Sequence, residues 1–210
     1  ENISENRIEM FGGSVDTLVD GYLGVITLFT AVLAAIMVVL AVLAVRAEET
    51  SGRAEPVLAT ATSRAAWFGG HLTVVSIGVV GLLVVVGFAT GIGAAASVGD
   101  SSYLWQMTAA HVAHAPGVLV VLGIAALLFG VLPKAIGSTW VVIGYSLFVG
   151  VFGVTTDHPQ WLRNLAPMEH TGQPPLDNIS WPASIVLLVI AAGLTAAGLR
   201  AFCRRDVEAS

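Results

Sequence analysis

Charged residues of both signs gather in one polar segment of about 21 residues, 46–66, in a chain that is otherwise largely apolar. The segment holds three of the nine Lys and Arg residues and three of the fourteen Asp and Glu residues. An apolar run flanks it on each side, and charges of this kind are costly to place in lipid. Charged side chains can instead select a partner by complementary potential. The segment therefore predicts a docking element for a soluble partner on one face of a membrane.

The candidate docking residues are those that carry charge or shape the turn: Glu48, Glu49, Gly52, Arg53, Glu55, Leu58 and Arg64. Gly52 can end the helix that leaves the preceding apolar run, and Pro56 can open a new short helix. Ser63 is a good N-cap for the helix that follows. We expect a short helix along the membrane surface, with Val57 and Leu58 on one side and charges on the other.

A plainer alternative remains for the acidic and basic side chains of this segment. Glu48, Glu49 and Arg53 could form an ordinary solvated helix face with weak ion pairs between residues four positions apart.

Histidines are the other residues with potential chemistry, and His111 and His114 lie one helical turn apart. A metal or haem could be held by such side chains, but a haem between helices needs ligands at matching depth, and His71 falls at the opposite end of a span. A proton relay through Asp20 is a further alternative. Polar histidines at helix ends are the preferred explanation of the pattern, so the sequence predicts no metal and no cofactor in this chain.

Nucleotide hydrolysis is not predicted for this chain. No Gly-x-x-x-x-Gly-Lys-Ser/Thr pattern occurs in the sequence. If the system uses ATP, ATP and Mg²⁺ bind to a separate subunit, and this chain is not itself an enzyme.

Composition predicts an all-α membrane protein. Hydrophobic residues make up 56% of the chain and charged residues 11%, whereas soluble domains carry about 25% charged residues. Apolar runs of about 18 residues or more recur, and helices satisfy their own backbone hydrogen bonds in lipid. The apolar runs make the lipid bilayer the expected partner. The net charge is −5 and the basic residues form no patch, so nucleic acid is not expected as a partner.

Five transmembrane helices are predicted, with Pro116 kinking the third. They cover residues 18–45, 71–96, 103–132, 135–155 and 181–202. The segments outside them are 1–17 and 156–180 on the outer face, and 46–66 and 203–210 on the cytoplasmic face. Gly87 and Gly91 form a small-x-x-x-small pattern, which predicts close helix packing.

The distribution of basic residues predicts the orientation. Seven lie on one side, namely Arg46, Arg53, Arg64, Lys134, Arg200, Arg204 and Arg205, and two on the other, namely Arg7 and Arg163. The richer side is cytoplasmic, so the N-terminus is outside and the C-terminus inside. An odd span count with an acidic start predicts at least one upstream span, in the same chain or in a partner. A native N-out protein with a processed Met is the alternative.

Residues 156–180 contain four prolines and Trp161, which predict an interfacial or re-entrant segment at the outer face. We expect this segment to cap a pathway through the membrane. The candidate outer-gate residues are Trp161, Leu162, Glu169 and His170.

A longer pattern runs from the polar segment into the next span: Glu49, Gly52, Arg53, Glu55, Leu58, Thr60, Arg64, Trp67 and His71. It resembles the loop between two spans of bacterial ABC-2 type permeases, although Ala61 stands where that family has proline. Residues 46–60, 165–170 and 198–207 further resemble the antibiotic (polyketide and tetronasin-like) exporter permeases, in their C-terminal half.

The resemblance implies a fragment of a six-helix ABC-2 half that exports amphipathic small molecules such as antibiotics or drugs. It implies three partners, namely an ATP-binding cassette ATPase subunit present as a homodimer, the upstream half of the permease or a second permease chain, and the bacterial cytoplasmic membrane. The first and fourth spans would face the substrate pathway, through Thr27, Thr30, Thr139, Tyr145 and Ser146. Hydrogen bonding between helices explains the same residues about as well. An ion-coupled secondary transporter and a membrane-embedded haem redox protein are the alternative functions.

Overall fold

The computed structural model describes residues 15–152 and 179–205, and these residues form helices and their connecting turns without a strand. The α-helices are α1 (Val15–Thr50), α2 (Glu55–Leu58), α3 (Arg64–Val98), α4 (Tyr103–Ala113), α5 (Ala115–Val131), α6 (Thr139–Phe152) and α7 (Trp181–Arg204). A 3₁₀ helix, Pro133–Ser138, joins α5 to α6. The prediction of an all-α membrane protein is confirmed.

Four stretches of the described residues are long and apolar enough to cross a membrane. They are Val19–Thr50, Arg64–Val98, Tyr103–Val131 and Trp181–Arg204. The predicted fourth span, 135–155, begins with the 3₁₀ turn, because Pro133 cannot continue the α5 hydrogen-bond ladder. The outer segment, with Trp161, Leu162, Glu169 and His170, lies outside the described residues, apart from its last two positions. The number of spans and their orientation stay predictions.

Helix α5 lies at the centre of the bundle. It contacts α7 most extensively, and α1 packs on it as well. The most apolar part of Tyr103–Val131 is 72% buried, against 22% in both α3 and α7. Phe129 and Leu122 are fully buried in the same core as Val38 of α1 and Phe68 of α3. The outer faces of α3 and α7 are therefore left for lipid or for other protein.

Glycines set the two closest helix contacts. A methyl group built on Gly130 would overlap the carbonyl oxygen of Gly198, and one on Gly198 would lie 2.5 Å from the carbonyl carbon of Ala126, so α5 and α7 touch backbone to backbone. A methyl group on Gly91 would lie 2.7 Å from the Leu104 carbonyl oxygen of α4. With Gly87 against Thr108 on the same seam, this confirms the predicted packing role.

The predicted kink near Pro116 is a break between α4 and α5. Helix α4 ends at Ala113, and α5 begins at Ala115 with Pro116 in its first turn. Proline is tolerated there because the first turn of a helix leaves its N–H groups unbonded.

Candidate docking site at the loop end of the bundle

The loop between α1 and α3 forms an ordered turn. Gly52 has a φ of +72°, and its N–H donates to the Glu49 carbonyl at 3.1 Å. Pro56 lies in the first turn of α2, and the Ser63 hydroxyl accepts the Ala66 N–H at 3.1 Å. The helix stop at Gly52, the short helix at Pro56 and the N-cap at Ser63 are all confirmed.

Helix α2 rests on the bundle by two residues and exposes the others. Ala54 is buried and Leu58 packs against the core, whereas Arg53, Glu55 and Val57 are exposed. The expectation that Val57 and Leu58 share one side is wrong, because a four-residue helix turns Leu58 inward and Val57 outward. We call the exposed set, Arg53, Glu55, Pro56 and Val57, the α2 face.

Glu49 is held within the chain by Arg205. The Nη2 atom of Arg205 donates to both carboxylate oxygens of Glu49, at 2.6 Å and 2.5 Å. Only 4% of the Glu49 side chain and 17% of the Arg205 side chain are exposed. The Arg205 guanidinium also lies over the rings of Phe129 and Phe202, at 4.9 Å and 5.1 Å from their centroids. An ion pair and two cation–π contacts thus meet at one buried charge.

Aromatic rings join this ion pair to three helices. Phe68 of α3 lies 5.0 Å, between centroids, from both Phe129 of α5 and Phe202 of α7. Phe129 and Phe202 stack at 5.4 Å, and Trp67 lies 5.8 Å from Phe202. We call Glu49, Phe68, Phe129, Phe202 and Arg205 the Arg205 node.

The node fixes both ends of the loop to the rest of the bundle. Glu49 belongs to the last turn of α1, and Arg64, in the first turn of α3, donates to the Arg205 backbone carbonyl. Arg205 in turn follows α7 and lies on the Phe129 ring of α5. A displacement of the loop would therefore act on α1 and α3 directly, and on α5 and α7 through Arg205.

The structure places the predicted docking residues in three different environments. Arg53 and Glu55 face outward on the α2 face, whereas Glu49 and Arg64 bond to Arg205 inside the chain. Glu48 lies in a groove between α1 and α3, where its Oε2 is 3.8 Å from His71 Nε2. The simple alternative of a fully solvated face does not fit Glu49.

The sequence does not predict the Arg205 node. In the sequence, Arg205 is a basic residue after the last span and part of the segment 198–207 that resembles the antibiotic exporters, and Phe68, Phe129 and Phe202 share no regular spacing. The local signal was the arginine pair Arg204-Arg205 directly after an apolar run, which gives no indication of its partner 156 residues earlier.

The hydroxyls assigned to a substrate pathway lie mainly between helices. Thr27 is fully buried and donates to the Gly24 carbonyl at 2.7 Å, and Thr30 donates to the Ile26 carbonyl at 2.9 Å. Thr139 and Ser146 are fully buried, and Tyr145 is half-buried. Both threonine bonds are made within α1, whereas the buried hydroxyls of Thr139 and Ser146 have no hydrogen-bond partner among the described residues. The pathway role stays a prediction.

His111 and His114 lie in the bundle interior at the break between α4 and α5, with 0% and 1% of their surface exposed. The His111 Nδ1–H donates to the Met107 carbonyl at 2.8 Å. Among residues 15–152 and 179–205, no group of three His, Cys, Asp or Glu side chains could hold a metal ion.

Comparison with known proteins gives a match along most of the chain. Residues 1–203 match the family described as multidrug efflux system permease Rv1217c, C-terminal domain. The sequence is 29% identical over 197 residues to the multidrug efflux system permease protein Rv1217c of Mycobacterium tuberculosis (strain ATCC 25618 / H37Rv). That alignment covers 93% of this chain and 36% of the relative, so the chain spans about a third of the relative's length.

Proposed function

Because the chain belongs to the family of the C-terminal domain of multidrug efflux permease Rv1217c, we propose that it forms part of a drug-exporting permease of the ATP-driven ABC-2 type. The observation that supports ATP-driven transport is the α2 face, which is an exposed charged turn between two helices of membrane length. Two of its residues, Arg53 and Glu55, belong to the pattern that resembles the loop of ABC-2 permeases, and the antibiotic exporters are the subgroup that the chain resembles most.

The partner in this proposal is a cytoplasmic ATP-binding cassette subunit, acting as a homodimer. ATP and Mg²⁺ bind there, and this chain carries out no hydrolysis. The partner contacts Arg53, Glu55 and Val57 on the α2 face. Because the α2 helix is only four residues long and stands on Ala54 and Leu58, a force on it passes directly into the bundle.

The Arg205 node supplies the second half of the coupling. It joins the loop to α5, which is the most deeply buried helix, and to α7. A movement of the loop driven by nucleotide binding would therefore shift four helices together rather than one. The export pathway lies between this domain and the upstream half of the permease, or a second permease chain, in the bacterial cytoplasmic membrane.

The test is a double charge reversal on the α2 face, Arg53→Glu with Glu55→Arg, in the full-length permease co-expressed with its ATPase. Exposed ion pairs contribute only about 0–1 kcal/mol each, so both charges are changed together. We expect loss of drug-stimulated ATP hydrolysis and of ATPase co-purification, with the permease still folded. Asp100→Lys, an exposed change in the α3–α4 turn at the far end of the bundle, is the matched control.

Unchanged coupled turnover in the double variant would overturn the docking role. The same preparation separates the alternative functions. Export that follows a proton gradient without ATP would identify a secondary transporter, and a Soret absorption band would identify a haem protein.

A further inference from the structure

A groove of about 550 Å³ opens between α1 and α3 at the loop end of the bundle. Its walls are small apolar residues of both helices, including Ala41, Ala44 and Gly70. A methyl group on Gly70 would meet no atom within 4 Å, so the space beside it is open. Glu48 and His71 form the polar end of the groove.

When the His71 ring is neutral, the two polar side chains face each other as hydrogen-bond acceptors. His71 Nδ1 lies 2.8 Å from the Trp67 carbonyl oxygen, which can only accept, so Nδ1 carries the hydrogen. In the neutral ring, Nε2 then has a lone pair. Nε2 is 3.8 Å from Glu48 Oε2, which is too far for a hydrogen bond. The polar end thus offers two acceptors, one of them negatively charged, to a donor placed between them.

An ammonium group fits this arrangement by charge and by geometry. A nitrogen about 2.8–3.0 Å from each acceptor can bridge a gap of 3.8 Å, because an ammonium carries several N–H donors. The Trp67 ring, 5.0 Å from the His71 ring between centroids, adds an aromatic surface that favours a cation. An anionic head group would face the Glu48 carboxylate and be repelled.

The position of the groove indicates that the rest of the ligand is apolar. Ala41, Ala44 and Val74 belong to apolar helix segments of membrane length, whereas Glu48 and His71 lie towards the polar loop. A ligand with its charge at Glu48 would place its apolar body among the α1 and α3 side chains. The groove is partly open, and 45% of the Glu48 side chain is exposed.

We propose that this groove binds lipophilic primary or secondary ammonium ions, which enter from the membrane leaflet on the loop side with the nitrogen between Glu48 and His71. The inference rests on the proposed function, because it names the substrate class of the same permease. It assigns Glu48 to ligand binding rather than to partner docking.

The test uses the full-length permease in nanodiscs of phosphatidylcholine, without its ATPase. The probe is dodecylamine carrying a diazirine, and mass spectrometry locates the labelled residues. We expect labelling within 41–48 and 67–75, and competition by dodecylammonium but not by dodecyltrimethylammonium, which has no N–H donor. Glu48→Gln should lower the labelling about tenfold, because the amide oxygen can still accept a hydrogen bond but the negative charge that strengthens the bond to the ammonium is lost.

Two variants keep the test decisive. Asp100→Asn removes a carboxylate at the far end of α3 and should leave labelling unchanged. Asp100 accepts the Ser102 N–H at 2.8 Å, and this bond lowers the pKa of the carboxyl, so the variant does remove a charge. His71→Phe keeps a ring but removes the second acceptor, and it should lower labelling severalfold. This variant tests the site independently if Glu48→Gln does not fold.

Equal labelling of wild type and Glu48→Gln would overturn the inference, as would equal competition by the trimethylammonium compound. Its failure is distinguishable from failure of the proposed function, because labelling needs no ATPase. If the wild-type permease is not labelled at the groove but keeps drug-stimulated ATP hydrolysis, the ammonium site alone is rejected. Labelling at the groove in a permease that assembles with no ATPase would reject the ATP-driven function alone.

Discussion

Glu49 and Arg205 each bury a formal charge at the loop end of the bundle, so each depends on the other. Burying two charges costs several kcal/mol per ion, and their attraction offsets that cost only when the geometry is good. Here Nη2 alone contacts both carboxylate oxygens, two aromatic rings cover the guanidinium, and the buried Nε has no hydrogen-bond partner among the described residues, so the attraction offsets the cost only in part. The pair fixes where α7 ends relative to α1 more than it adds net stability.

Replacing Arg205 with Met should destabilise the folded permease, by about 3–5 kcal/mol at most, because Glu49 stays buried without its partner. Combining Arg205→Met with Glu49→Gln should recover part of the loss. Thermal unfolding of the purified full-length protein in detergent measures both. The neighbouring Arg204 is exposed, so Arg204→Met is the control with little expected effect. Equal destabilisation by the two arginine variants would contradict the assigned role.

A second residue with a strict requirement is Gly52. Its φ of +72° is in the left-handed region, where a non-glycine residue costs roughly 1–2 kcal/mol. We expect Gly52→Ala to lower ATPase co-purification by displacing the α2 face, and Gly52→Asn to do so less, since asparagine tolerates this region better. A co-purification assay with both variants checks the order, and equal yields with wild type would show that the turn adapts.

The short loop elements could be predicted from the sequence and the tertiary contacts could not. Gly52, Pro56 and Ser63 act through the local backbone, so their residue types suffice to place a turn, a helix start and a cap. Glu49 and Arg205 are 156 residues apart, and their pairing depends on how α1, α5 and α7 pack. The sequence also does not predict that α5 is the central helix. All the spans are apolar, and only shape complementarity selects the innermost one.

The contact between α5 and α7 gives a prediction for one element against another. Gly198→Ala would place a methyl group 2.5 Å from the Ala126 backbone, which cannot move as a side-chain tip could, so the helices must separate. We expect Gly198→Ala to lower the free energy of unfolding by about 1–3 kcal/mol or more. Gly193→Ala on the same helix meets no atom within 4 Å and should change little. Thermal unfolding of the two variants tests this, and similar melting temperatures would contradict the close approach.

The molecule as a whole divides into a buried centre and an apolar outside. Helix α5 is enclosed, whereas α3 and α7 keep large side chains such as Ile77, Val85 and Ile185 exposed. Hydropathy predicts that these helices exist, since length and composition suffice for that. It cannot tell a face against lipid from a face against another domain, because both are apolar.

The predicted orientation is tested by single-cysteine labelling in intact cells, on a Cys203→Ser background, because Cys203 is exposed. Position 55 as Cys should react with an impermeant maleimide only after permeabilisation, and position 100 as Cys should react in intact cells. Both native residues, Glu55 and Asp100, are exposed, so access alone does not distinguish them. Labelling of position 55 from outside would reverse the assigned topology.

The separation of Glu49 and Arg205 in the chain also has a consequence for biogenesis. Arg205 is synthesised 156 residues after Glu49, which is roughly 8–30 s at translation rates of about 5–20 residues per second. During that interval the Glu49 carboxylate has no Arg205 to pair with. The contacts of the Arg205 node can therefore form only after α7 has been synthesised, so the loop end of the bundle reaches its final packing late in synthesis.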